Sequence, residues 1–293
     1  MYERHFGFKS KPFSLTPDPE FLYLSSQHAM AMTMLEYGLE SQAAFSLLTG
    51  EIGSGKTTLV RRLLRTLGDQ VCVGLISNTH ADFKSIHRWA MSALGIVSPG
   101  DAEVAQYEAL VDSMVRQYAQ GRRTLLIIDE AQNLSLEVLE ELRLLSNVNS
   151  ESDLVLQVLL VGQPELRRKL MRPELQQFAQ RISVDFHLLP LDCDETQAYV
   201  RHRIETARGN PDVFLPEAVE LIHERTRGVP RLMNQLCDFA LLYAYADGRR
   251  TIDADLIVQV LRDRRGAFAL PPGAADAAAA VAASHALQNS GTA

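Results

Sequence analysis

Residues Gly50-Glu51-Ile52-Gly53-Ser54-Gly55-Lys56-Thr57 fit the pattern G-x-x-x-x-G-K-[ST] without a mismatch. Glycines at that spacing let the backbone curl until successive N–H groups face inward on an anion. A helix starting just after them adds a partial positive charge at the same place. The Lys56 ammonium would reach the β- and γ-phosphates of a nucleoside triphosphate, and the Thr57 hydroxyl would complete the shell of a Mg²⁺ ion. Gly50, Glu51, Ile52, Gly53, Ser54, Gly55, Lys56, Thr57 and Thr58 are therefore candidate contacts to ATP. A glycine-rich strand-to-helix turn with an exposed lysine is the plainer reading, and a second motif argues against it.

That motif is Thr124-Leu125-Leu126-Ile127-Ile128-Asp129-Glu130, an apolar run ending in two acids. Such a run reads as a buried strand that delivers carboxylates to its C-terminal end, where open α/β sheets bind ligands. Asp129 is placed to hold Mg²⁺ together with Thr57. Glu130 is placed to orient and deprotonate the water that attacks a γ-phosphate. An Asp-Glu pair after a strand is often just a helix cap, but downstream of a phosphate loop it reads as a Walker B motif. The Glu directly after the Asp favours hydrolysis over mere nucleotide storage.

Four polar residues sit where a hydrolytic site would use them. Gln163 closes another apolar run, where its amide could position the attacking water or simply end a strand before Pro164. Asn78 follows the run Val71–Ile76 and is a candidate for holding Glu130 off until a partner binds. Arg181 lies between a polar helical stretch and a strand, as a solvated charge or as an arginine finger, which can be worth ~10³–10⁵ in rate. Arg231 follows Pro230 in the first turn of a helix. A cation is disfavoured there, which points to an anionic partner, a γ-phosphate or an acidic side chain.

The elements that must position these residues alternate up to about residue 190. Strands are expected at 44–49, 71–76, 124–128, 154–161 and 183–188. Helices are expected at 28–40, 58–67, 82–94, 102–120 and 135–148, with shorter ones at 164–171 and 173–180. Ser25 or Ser26 caps the first of these, and Met30, Met34, Leu35 and Leu39 form its core face. Beyond Pro190 only helices are expected, at 194–208, 216–226, 230–247 and 253–264. The domain reading is a segment at 1–40 packed on the core, an α/β domain at 41–190, a helical lid at 191–265 and a disordered Ala-rich tail at 266–293.

Bulk properties narrow the class. The 293 residues are 46% hydrophobic and 22% charged, with a net charge of −7. That is ordinary globular composition and not the basic balance of a dedicated nucleic-acid binder. Cys72, Cys193 and Cys237 make no metal or disulfide spacing, so a reduced compartment is expected. No signal-like N-terminus and no apolar run of about 18 residues is present. The expected location is cytoplasmic, peripheral at the inner membrane, with no direct membrane span.

Together these residues resemble an AAA+ ATPase: the Gly50–Thr57 loop, Asp129-Glu130, Gln163 at the sensor-1 position, Arg181 before the fifth strand, and Gly228-Val229-Pro230-Arg231 as a sensor 2. A narrower resemblance is to the general secretion pathway protein A (ExeA-like) family. It is carried by Phe6-Gly7-Phe8, Pro12-Phe13, Thr16-Pro17-Asp18-Pro19, Phe21-Leu22-Tyr23-Leu24-Ser25, Ile128-Asp129-Glu130-Ala131-Gln132-Asn133-Leu134, Leu139-Glu140-Glu141-Leu142-Arg143-Leu144-Leu145-Ser146-Asn147 and Gln180-Arg181-Ile182.

The resemblance covers about residues 1–265 and implies a P-loop NTPase with a five-stranded parallel sheet of order 5-1-4-3-2 and a C-terminal helical lid. It further implies ATP and Mg²⁺ as cofactors, nucleotide between core and lid, and a homo-oligomer, as a hexamer. It also implies an inner-membrane secretion or export component as partner. In that family a membrane span and a peptidoglycan-binding domain often follow. The expectation here is either a separate membrane partner or a stand-alone relative without those parts, akin to ATPases of exopolysaccharide export or pilus biogenesis. The leading functional expectation is an ATP-hydrolysing factor for an envelope export system. The alternatives are a TniB-like transposition adaptor, with Arg61, Arg62, Arg65 and Arg122-Arg123 as a local basic patch for DNA, and a slow nucleotide-gated switch.

Overall fold

The structure is a computed structural model that describes residues 1–16, 18–77, 85–100, 102–150 and 153–264. Its contacts divide the chain into two compact units: Leu24–Leu188, and a second made of Met1–Tyr23 with the chain from Leu189 onward. In chain order the helices are α1 (Tyr2–Phe6), α2 (Ser26–Glu40), α3 (Lys56–Thr66), α4 (Ile86–Ala93), α5 (Glu103–Ala119), α6 (Leu136–Leu145), α7 (Pro164–Leu170), α8 (Gln176–Ala179), α9 (Cys193–Thr206), α10 (Pro216–Thr226), α11 (Pro230–Ala246) and α12 (Ala254–Asp263).

The larger unit is built on five parallel strands: β1 (Phe45–Gly50), β2 (Val71–Ile76), β3 (Arg123–Ile128), β4 (Leu156–Gly162) and β5 (Ile182–Leu188). They lie in the order β2-β3-β4-β1-β5, which is the expected 5-1-4-3-2. The order follows from how apolar each run is. Every residue of β1 and β4 is buried, as is all of β3 after Arg123, and these three occupy the centre. The mixed runs β2 and β5 take the edges. A parallel sheet covered on both faces needs that distribution. One face packs on Ile86, Leu110, Met114, Leu139 and Leu142, the other on Ala31, Leu35, Leu59 and Leu63.

Several local expectations shift. Ser25 caps α2 by accepting the His28 N–H at 3.3 Å. The buried face of α2 is His28, Ala31, Met32, Leu35 and Gly38, whereas Met30 is exposed. Of the expected face, Leu35 is buried and Leu39 packs on the core, Met34 is half-buried, and Met30 departs from it. Helix α6 stops at Leu145 because Ser146 takes the C-cap position, and a short hairpin, Asn149–Ser150 with Asp153–Leu154, precedes β4. Helix α4 is described only from Ile86. Asn78, the expected helix start at Asp82 and the tail at 266–293 lie outside the described residues.

The second unit is helical, α9 to α12, with α1 and the N-terminal segment built into it. Tyr2, Phe6, Phe8, Phe13 and Phe21 share one core with Tyr199, Ile204, Met233, Leu236 and Ile257. This corrects the expectation that residues up to 40 pack on the α/β core: only the part from Leu24 belongs to that unit. The aromatics decide the outcome, because α9, α11 and α12 leave an apolar face that they complete. Arg203 fixes the strap. It donates to the Pro12 carbonyl at 2.6 Å and the Ser14 carbonyl at 3.2 Å, and its guanidinium lies over the Phe21 ring at 4.8 Å. Tyr2 adds a hydroxyl bond to Asp238.

Candidate active site

Strand β1 ends at Gly50, and the chain turns through Gly53 (φ 83°) and Gly55 (φ 102°) into α3. Those left-handed conformations are why glycines occupy these two positions. Gly50 is constrained differently: a Cβ there would stand 2.8 Å from the Leu188 carbonyl oxygen. Inside the loop the Lys56 ammonium donates to the carbonyls of Gly50 at 2.7 Å and Glu51 at 2.8 Å. Burial pushes its pKa below the usual lysine range, against the pull of Glu130 and Asp129. Among the described residues the buried Ser54 hydroxyl finds no hydrogen-bond partner. Ile52 and Thr57 are exposed and Thr58 half-buried.

The Walker B strand β3 delivers its acids beside this loop. Thr57 Oγ1 donates to Asp129 Oδ2 at 3.0 Å. Burial raises the Asp129 pKa, while the Thr57 hydroxyl and the Glu130 N–H oppose the rise. The Glu130 N–H donates to Asp129 Oδ1 at 2.9 Å, which holds Glu130 at φ 54°, a conformation uncommon outside glycine. Its carboxylate Oε2 accepts from Gln163 Nε2 at 3.2 Å and from Gln132 Nε2. The Gln132 amide oxygen in turn accepts the Gln163 N–H at 3.1 Å. Gly162 makes room for this: a Cβ there would meet Gln132 Oε1 at 2.8 Å. Lys169 completes the support by donating to the carbonyls of Gln132 and Leu134.

The residues present suit a magnesium–nucleotide complex. A curled glycine loop, a buried unpaired hydroxyl at Ser54 and a lysine on the loop's concave side form an anion cradle. Thr57 and Asp129 offer hard oxygen donors, and Mg²⁺ typically takes only one or two such protein ligands, with substrate phosphates and waters supplying the rest. Among the described residues no cluster of three or more His, Cys, Asp or Glu could hold a metal by itself.

The structure brings Gly50–Thr58, Asp129, Glu130 and Gln163 to one end of the sheet. It does not bring Arg181 there. Arg181 precedes β5, whose Ile182 pairs with Phe45 at the start of β1, while Leu188 pairs with Gly50 at its end. At about 3.3 Å per residue, Arg181 stands roughly 20 Å from the loop, at the opposite end of the strands. Its guanidinium donates to Ser146 Oγ at 2.8 Å and to the Arg143 carbonyl at 3.3 Å, at the C-terminal end of α6, where a cation is favoured. Arg231 belongs to the helical unit and is exposed on the first turn of α11, a turn without an acidic residue.

Two contributors lay outside the sequence-derived site set. Gln132 is legible only as part of the run after Glu130, since no spacing rule marks an amide two residues past a base. His28 sits three residues after the Ser25 cap and bonds to the loop at Ser54.

Comparison with known proteins agrees with this geometry. Residues 39–170 match an AAA domain family. General secretion pathway protein A of Aeromonas hydrophila is 39% identical over 253 residues, 86% of this chain but only 46% of that protein, so the chain spans about half the length of this relative. The structure of the Aeropyrum pernix ORC2 protein superposes with a TM-score of 0.66 at 21% identity, covering 90% of this chain and 74% of that one. The RuvB branch migration motor of Thermotoga maritima superposes at 0.52 with 19% identity, covering 86% and 72%. Among the described residues no helix is long and apolar enough to cross a membrane. Over residues 39–170 the chain is similar to the AAA domain family, and over 86% of its length to general secretion pathway protein A.

Proposed function

We propose that the chain hydrolyses Mg-ATP at the Gly50–Thr57 loop and that this activity serves an envelope secretion or export system. The observation that carries the chemical part is the contact of Thr57 Oγ1 with Asp129 at 3.0 Å, with Glu130 on the next residue. Bound Mg-ATP would supply the phosphoryl group and the cation that neutralises its charge. Loop N–H groups and Lys56 orient the phosphates, and Thr57 and Asp129 hold the cation. Glu130 takes the proton of the attacking water, with the Gln163 and Gln132 amides fixing where its carboxylate points.

The secretion assignment is supported by the relative that shares 39% identity. A direct test measures phosphate release with and without Mg²⁺, then captures partners with the Glu130→Gln protein held in ATP. Magnesium-dependent turnover and recovery of inner-membrane export components are expected. Turnover that responds instead to DNA, with steep salt dependence, would replace the secretion reading by a transposition-type adaptor.

A further inference from the structure

His28 lies on the first turn of α2, outside both phosphate-site motifs. It is buried at 3% exposure and Ser25 at 1%. Its ring makes two bonds on opposite sides: Nδ1 with Ser25 Oγ at 2.8 Å and Nε2 with the Ser54 carbonyl at 3.1 Å. The chemistry fixes the direction of both. A carbonyl oxygen only accepts, so Nε2 carries the hydrogen and donates it to Ser54. In the neutral ring Nδ1 then accepts, and the Ser25 O–H donates to it. Ser25 Oγ still accepts the His28 N–H at 3.3 Å, so one hydroxyl both caps α2 and satisfies Nδ1 of the tautomer that the Ser54 carbonyl selects.

The consequence lies in the peptide that joins Ser54 to Gly55. It is planar, with C=O and N–H on opposite sides. Fixing the Ser54 carbonyl toward His28 therefore aims the Gly55 N–H the other way, away from the ring. Gly55 also has φ 102°, and a Cβ on it would stand 3.0 Å from His28 Nε2, so ring and loop are built against each other. We infer that His28 is a positioning residue for the phosphate loop: through the Ser54 carbonyl it presets the Gly55 N–H as an anion donor. This rests on the nucleotide-binding reading above. Its physical content is preorganisation, since a loop already fixed loses less freedom when the anion arrives.

The test compares ATP binding by calorimetry and steady-state turnover for wild type, His28→Ala, His28→Gln and Lys56→Ala, all as the full chain. Gln keeps an N–H donor near the position of Nε2, and Ala removes it. With one hydrogen bond's worth of preorganisation lost, His28→Ala should raise Kd and KM for ATP about three- to tenfold, with kcat changed by less than about twofold. His28→Gln should return most of the affinity. A merely structural role would lower kcat through loss of folded protein and leave KM where it was, with no rescue by Gln. If the alanine variant melts too low to titrate, His28→Leu, which fills the space and donates nothing, carries the same expectation. Tight ATP binding by wild type, lost in Lys56→Ala but unchanged in His28→Ala or His28→Leu, overturns this inference alone. No ATP binding by wild type overturns the nucleotide reading and this inference with it.

Discussion

Lys56 and Asp129 are buried together, and burial penalises the charged form of each: it lowers the pKa of the lysine and raises that of the acid. For a lysine whose folded pKa lies below its unfolded one, the ammonium costs stability at neutral pH. That cost fades as pH rises through the folded value toward the unfolded one. Lys56→Met should therefore abolish ATP binding, since the phosphates lose their point charge, while the nucleotide-free protein melts at or above the wild-type temperature. The gap should shrink as pH rises toward the ordinary lysine pKa of about 10. Calorimetric titration with ATP and melting curves at rising pH check both halves. Glu130→Gln makes a different claim. The amide cannot take a proton, so the variant should bind Mg-ATP like wild type and turn over about 10²–10⁴-fold more slowly. Single-turnover assays after confirmed binding would show it, and near-normal turnover would move the base role elsewhere.

At the scale of elements, the strands and the C-terminal helices were the legible part. Their signals are local: fully apolar runs for β1, β3 and β4, and Pro216, Pro230 and Asp253 at the starts of α10, α11 and α12. The partner of the N-terminal strap was not legible. Phe6, Phe8, Phe13 and Phe21 announce burial, but aromatic content does not say against which surface, and the covering helices come about 180 or more residues later in the chain. The site shows the same division. Gly50–Thr57 and Asp129-Glu130 are contiguous strings, whereas the meeting of Gln132, Gln163 and Glu130 depends on β3 and β4 being neighbours. The strap's contribution can be measured. Phe13 is 1% exposed and stacks edge-on to Phe214. Phe13→Ala should cost about 3–5 kcal/mol of the helical unit's stability. Denaturant unfolding of the full chain should then show an earlier transition, and an unshifted midpoint would mean that the strap is dispensable.

At the scale of the whole molecule, the unexplained charge is Arg181. It lies at the end of the sheet where β1 begins, so it does not serve the phosphate loop of its own chain. The bonds to Ser146 and the Arg143 carbonyl hold the guanidinium against the end of α6, where Arg143 itself is paired with Glu140 at 2.6 Å. A charge fixed at one end of the strands and a phosphate site at the other is the layout by which one copy of a chain can complete the site of the next. Such head-to-tail contacts close into rings or continue as filaments. If Arg181 acts as a finger, Arg181→Ala should keep ATP binding and lose up to about 10³ in turnover. Mixing it with Glu130→Gln protein should restore activity. An Arg181→Ala subunit still has Glu130, and a Glu130→Gln neighbour lends it an intact Arg181, so one composite site per mixed contact is whole. Wild-type specific activity should also rise with protein concentration across the association range. No recovery in the mixture, together with specific activity flat in concentration, would make Arg181 a C-cap for α6 and nothing more.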